Sequence, residues 1–421
     1  MIVGIDFNLR DTRLCILNDS SDIESCNVFE FKNIIAIIND NIFIGDDAYV
    51  KYLTENQGTI YNLNYIVEHN GIIFKKRQIS IEGVLSILLD YFLKKLINKS
   101  YADSLSIVCI SIPYEKYYLW HDLFSKAFSS LGVHRFRIVS QPAAFFALKS
   151  TNILHNKLSA FVTMQGNAFT KLDSEYEKKP WYKKLFLKKP QNIKKRINME
   201  WSYLVVSICE NSANASIVTF GEEVLEIHHT DYSTKISFNI IYHILRDFIV
   251  TELNNNSKYK ITPNNKTELL LQTIIDDFLR FSHNTQFLEI NLPHVLCSDS
   301  NYHAFCKTIN LNKLDNIMNN KLNSINDLIM ELFAFANNNN HSIEYLVFIG
   351  LPVKGNYIYK IIENIINQVF IEQKIIYKDN KSLARGALML STLLNGGRST
   401  SLWRAPQTVV KMWLMSSKRW P

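Results

Sequence analysis

At 421 residues the chain is long enough for two or three domains, and 47% hydrophobic with 12% aromatic residues excludes a disordered protein. No uncharged apolar run approaches the roughly 20 residues of a membrane span, and Met1-Ile-Val-Gly-Ile-Asp6 enters a strand without a basic leader, so the protein is expected to have no transmembrane segment and to stay in the cytoplasm. The net charge of +7 is concentrated in nine lysines and one arginine against three acids over 171–196, and in five basic residues without an acid from Arg398 to Pro421, which gives little reason to make the whole protein a nucleic-acid binder.

Ile2 to Phe7 and Arg13 to Leu17 are β-branched runs joined by a polar turn, which predicts a hairpin with Asp6 exposed at its end. Ile81 to Ile97 has a helical period, with Val84, Leu85, Leu88, Leu89, Phe92 and Leu96 on one side. Next comes a strand–helix–strand–helix unit: an apolar run Leu105 to Ile112, Pro113, a helix over Glu115 to Leu131, a Gly132 stop, a strand Phe136 to Ser140, and Pro142 opening another helix. Proline costs no hydrogen bond at a first helical position, and glycine supplies the left-handed residue that ends a helix.

The insertion-like segment Lys178 to Arg196 alternates lysine pairs with Trp181, Tyr182, Leu185, Phe186 and Leu187. It reads either as a solvated loop or as a binder of an acidic partner, an anionic membrane surface or a single-stranded nucleic acid. Further on, Asn239 to Leu253 and Leu269 to Ser282 are amphipathic helices. His294, Cys297, His303 and Cys306 do not match common zinc modules and read as two surface histidines and two buried thiols; the six scattered cysteines are expected to be reduced. Leu311 to Ala336 reads as one or two helices broken near Asn319 and Asn320. Tyr345 to Ile349 is a buried strand, Tyr357 to Val369 a helix, and Asn380 to Leu394 a helix with small residues at Ala384, Gly386 and Ala387 suited to close packing.

This order and spacing, over roughly residues 1 to 396, resemble the nucleotide-binding domain of the heat shock protein 70 family of chaperones (DnaK/HscA type). The resemblance implies an α/β, two-lobed actin-like ATPase fold with ribonuclease H-like lobes: lobe I over 1–150, lobe II over 151–380 with the basic insertion 171–196, a closing helix 381–397 and a basic Trp-containing tail 398–421. It also implies ATP and Mg2+ as cofactors, and a J-type co-chaperone or nucleotide-exchange factor as partner. The 24 residues after Gly397 are too few for the family's peptide-binding β-sandwich.

Residue by residue, the resemblance keeps the skeleton and loses the lining. Asp6 stands at the place of the carboxylate that holds hydrated magnesium, but the phosphate-loop glycine and two hydroxyl residues become Asn8, Leu9 and Arg10. Asn64 replaces the lysine that steers γ-phosphate, and Gln141 the glutamate that organises water; Gln can hydrogen-bond a water but cannot act as a base. The second phosphate loop falls on 163–170 or on 207–214, so its aspartate becomes Thr163 or Ser207. Glu226 to Asp231 stands where a glycine-rich turn meets the γ-phosphate. Phe278 takes the place of a lysine under adenosine, suited either to purine stacking or to core packing; Gly350 remains, Leu351 replaces a glycine, and Lys354 stands in for an arginine. Pro113 and His121 occupy switch positions, Pro113 serving equally well as a simple strand stop.

Phosphoryl transfer rests on positioning and charge neutralisation. The expected function is therefore a chaperone relative with ATP binding and hydrolysis weakened or lost, acting through protein contacts. The alternatives are a retained ATP-binding chaperone in protein folding or iron-sulfur assembly, and an actin-like scaffold.

Overall fold

The structure is a computed structural model that describes residues 1–17, 23, 26–55, 58–97, 105, 107–113, 117–145, 147, 201–221, 224–255, 258, 260–262, 264–281, 286–339, 341–350, 356–369, 374–378 and 381–394. The basic segment 171–196, the loop 163–170, Leu351, Lys354 and the tail 398–421 lie outside the described residues.

Five strands form the first sheet, in the order Phe136–Ser140, Ile107–Ile112, Ile2–Phe7, Asp11–Leu17, Val28–Lys32. The three earliest strands pair antiparallel and the other two run parallel to Ile2–Phe7. A central strand of a sheet covered on both faces must be apolar on both, which is why IVGIDF is almost wholly apolar and buried throughout. Alternation sends Val3, Ile5 and Phe7 to one face, where they pack with Val84, Leu88, Phe92, Phe124 and Phe128 of two flanking helices. Ile2 packs on the opposite face with Cys109, Ala384 and Leu388.

The second sheet repeats the plan. Its order is Val224–Ser233, Ala213–Gly221, Trp201–Ile208, Ile343–Ile349, Lys374–Lys378, again with three antiparallel strands followed by two parallel ones. Leu204, Val206 and Phe348 pack on Ile241, Leu245 and Ile249 of the helix Phe238–Asn255. On the other face, Tyr203, Val205, Val347 and Ile349 meet Phe145 and Leu383.

Two helices therefore lie between the sheets: the one spanning 141–145, and Lys381–Leu394, whose Ala384 and Leu388 pack toward the first sheet while Leu383 packs toward the second. The contact is close enough that a Cβ on Gly386 would stand 1.8 Å from the Ala144 carbonyl oxygen, and one on Gly4 2.1 Å from the Leu388 nitrogen. The small residues at Ala384, Gly386 and Ala387 thus permit backbone-to-backbone packing, as the sequence indicates. Smaller pieces complete the architecture: a three-stranded sheet (Ile34–Ile38, Asn41–Ile44, Thr59–Asn62) with the helix Gly45–Thr54, and the hairpin Phe287–Leu296 with Tyr302–Asn310. No helix among the described residues is long and apolar enough to cross a membrane.

Three sequence expectations change. Glu226 to Asp231 is the interior of a strand, with His229 stacked on Phe335 and His228 bonded to Thr219; the turn comes later, at residues 234–237. The helical break lies at Asn323, because Asn319 and Asn320 continue the helix Asp315–Leu322. Cys306 is exposed, since the strand Tyr302–Asn310 has one open face, and among the described residues no group of histidines, cysteines and acids could hold a metal.

Candidate functional site

Sheet register builds the site. Asp6 stands opposite Ser111 on one side and Arg13 on the other, and Arg13 stands opposite Glu30, so four polar residues form one row across four strands. Asp6 is 0% exposed, which overturns the expectation of an exposed residue at the hairpin end. A buried carboxylate needs donors, and Asp6 has four: Ser111 Oγ at 2.8 Å and Gln141 Nε2 at 3.2 Å on Oδ1, and Asn8 Nδ2 at 3.1 Å and Arg13 Nη1 at 3.3 Å on Oδ2. Burial pushes the Asp6 carboxyl above its ordinary range, against the pull of Arg13 and the hydrogen bonds.

Gln141 joins this row to the second sheet. Its Nε2 also donates to Asn8 Oδ1 at 3.1 Å, while its Oε1 accepts from Ser207 Oγ at 3.4 Å and from Cys209 Sγ at 3.7 Å. Ser207 is buried at the end of Trp201–Ile208, whose hairpin turn to Ala213–Gly221 stands where the turn Asn8–Arg10 stands in the first sheet. The turn at Asn8 is fixed from within: Asn33 donates to the Asn8 carbonyl at 2.6 Å, and Asn8 N donates to the Asp11 carbonyl at 2.9 Å.

Arg10 points from this turn into the second half of the molecule. Its guanidinium pairs with Glu210 at 2.6 Å and with Asp276, beside the Tyr242 ring at 5.9 Å. From the other side, Arg280 pairs with Asp11 at 2.5 Å and with Glu30 at 2.8 Å. Arg13 shares both of those acids, at 3.2 Å and 2.8 Å. Burial opposes the Arg10 charge, but Glu210, Asp276 and Asp11 outweigh it and hold its pKa above the ordinary value. Burial likewise pushes Asp11 up, yet Arg280 and Arg13 dominate and hold that carboxyl below its ordinary value. Glu210 and Asp276 move the other way, raised by burial that Arg10 offsets only in part.

Beside this cluster lies a cavity of about 260 Å³, lined by polar residues of both halves, among them Asn64, Glu210, Asn239, Gln272 and Thr273. Leu9 lines it as well and packs on the first core; Asn64 Oδ1 accepts from Asn211 Nδ2 at 3.3 Å. Phe278 is 4% exposed inside the second core, which assigns it to packing rather than to stacking on a purine. Gly350 is buried at a positive φ of 79° just after its strand. Pro113 is buried at the end of Ile107–Ile112, while His121 is exposed on the helix Tyr117–Ser130, its ring 6.0 Å from that of Tyr117. Sequence reasoning missed Asp11, Arg13, Glu30, Glu210, Asp276 and Arg280. The available signals were Asp11 and Arg13 inside an apolar strand two residues apart, and Asp276 and Arg280 one turn apart on a helix.

Magnesium and ATP do not fit this lining. An ionised carboxylate offers about four acceptor positions, and four protein donors take those of Asp6. Arg10, where the phosphate loop would need a hydroxyl, is held by two carboxylates, and five acids around three guanidiniums would repel a polyphosphate.

A search of curated proteins finds no match to this chain. The family model described as Hsp70 protein matches residues 193–403, a span that holds the whole second sheet and the helix Lys381–Leu394 packed between the sheets. That match takes in half of the 421 residues, and with it the chain belongs to the Hsp70 family.

Proposed function

We propose that this family member holds a two-lobed, actin-like domain, with lobe I over 1–150, lobe II over 151–380 and a closing helix at 381–397. In this reading ATP binding and hydrolysis are weak or lost, and the protein acts in the cytoplasm through contacts with other proteins. A J-type co-chaperone and a nucleotide-exchange factor are the partners that the family suggests. The repeated strand order of the two sheets supports the two-lobed reading.

One observation carries the loss of ATP chemistry: the Asp6 carboxylate is saturated by Ser111, Gln141, Asn8 and Arg13. A residue in that state has no lone pair left for a metal-bound water, and Gln141 and Ser207 carry no charge with which to replace the missing acids. Calorimetric titration of the full chain with Mg-ATP, paired with a phosphate-release assay, tests the reading. No heat of binding at micromolar protein and no release above background are expected. Micromolar binding with measurable turnover would instead support a retained ATP-dependent chaperone that uses the cavity beside Arg10.

A further inference from the structure

We infer that Arg10 and Arg280 form a reciprocal latch that holds the two halves of the molecule closed without any ligand. The inference rests on the two-lobed reading above and is independent of whether ATP still binds. Arg10 belongs to the first half and its ion pairs among the described residues are with acids of the second, Glu210 and Asp276. Arg280 belongs to the second half and its ion pairs among the described residues are with acids of the first, Asp11 and Glu30. Each guanidinium presents a planar fork to two carboxylates, a geometry that one flexible ammonium does not reproduce.

The two clamps are tied to one another. Asp276 and Arg280 are one turn apart on the helix Asn265–Phe281, while Arg10 and Asp11 are adjacent at the start of the strand Asp11–Leu17. Arg13 braces the Arg280 clamp by bonding the same Asp11 oxygen and the same Glu30 oxygen. The rest of the helix Asn265–Phe281 seals the contact. Leu269 packs among Ile34, Ala36, Ile38, Ala48 and Tyr52 of the first half; Thr273 Oγ1 bonds the Tyr49 hydroxyl at 2.6 Å; and Lys266 Nζ donates to the Glu55 carbonyl at 2.9 Å. Parting the halves would leave two guanidiniums and four carboxylates without their cross-half partners. The closed arrangement therefore belongs to the chain itself.

Hydrogen exchange of the full chain without nucleotide tests the latch, read in the helices Gly45–Thr54 and Asn265–Phe281. In the double variant Arg10→Ala/Arg280→Ala, exchange in both helices is expected to speed at least tenfold, while the core strands Ile107–Ile112 and Ile343–Ile349 keep their protection. Helix rates within twofold of the unmodified chain, with both strands protected, would overturn the latch. If the double variant loses the core strands as well, the swap Arg10→Glu/Glu210→Arg decides. Recovery of helix protection relative to Arg10→Glu alone supports the latch, and equal opening overturns it. Mg-ATP added to the unmodified chain reads the other question separately, because extra protection there would count against the loss of ATP binding and leave the latch standing.

Discussion

Removing the Arg10 guanidinium would leave Glu210 and Asp276 buried near one another with no cation between them. A buried pair broken on one side costs about 3–5 kcal/mol, because the stranded charge keeps its desolvation penalty. Arg10→Ala should therefore lower the free energy of unfolding, read from urea titration, by an amount of that order. Arg10→Lys should recover only part, since an ammonium cannot fork between two carboxylates. Acid sensitivity has a definite sign at Asp11. Its folded-state carboxyl lies below the ordinary value, so its contribution is fully present above the unfolded pKa of about 4 and is lost as the pH falls through the lower folded value. Asp6, Glu210 and Asp276 are raised, so each carries a cost that is absent below about pH 4 and grows as the pH rises toward its folded value. Asp11→Asn should thus be less stable at pH 7 and show a flatter loss in acid, as measured by urea midpoints across pH. At this scale the sequence reveals losses better than gains. Asn8, Leu9 and Arg10 stand out as replacements of a phosphate turn, but the partners of Arg10 lie 200 and 266 residues away, and no local pattern announces them.

The helix Lys381–Leu394 owes its position to two glycines, one in it and one beneath it. Gly386→Ala would drive a methyl into the Ala144 carbonyl, and Gly4→Ala would drive one into the backbone of Leu388, both against main chain that cannot rotate away. Each should cost on the order of 3 kcal/mol in thermal or urea unfolding. Gly132→Ala is the control. Its added methyl meets nothing within 4 Å, and the strain of a positive φ of 73° should cost only about 1 kcal/mol. Elements with a strong period were legible almost to the residue: Ile2–Phe7, Ile81–Ile97, Phe136–Ser140 and Tyr357–Val369 fall where pattern and punctuation put them. The strand Val224–Ser233 was not, because its two central histidines are half-buried against Thr219 and Phe335 and so break the apolar alternation that marks a strand.

For the molecule as a whole, the twin strand order of the sheets explains why spacing alone was enough to suggest the fold. Each sheet needs the same succession of hairpin, helix and parallel crossover, and that succession is written in apolar runs and turns rather than in polar residues. The charged contacts between the halves join residues 250 to 269 apart for Arg280, so they belong to the assembled fold and to no segment of it. The placement of Lys381–Leu394 against Ile2–Phe7 also bears on biogenesis. The strand Ile2–Phe7 leaves the ribosome long before this helix, and the groove beside Gly4 receives its cover only when residues 388 positions further on have been made, with Ser391 bonding the Val3 carbonyl at 2.9 Å. During translation the core around Ile2–Phe7 waits uncovered on one side, a standing invitation to aggregation and to holdase chaperones until the helix Lys381–Leu394 emerges.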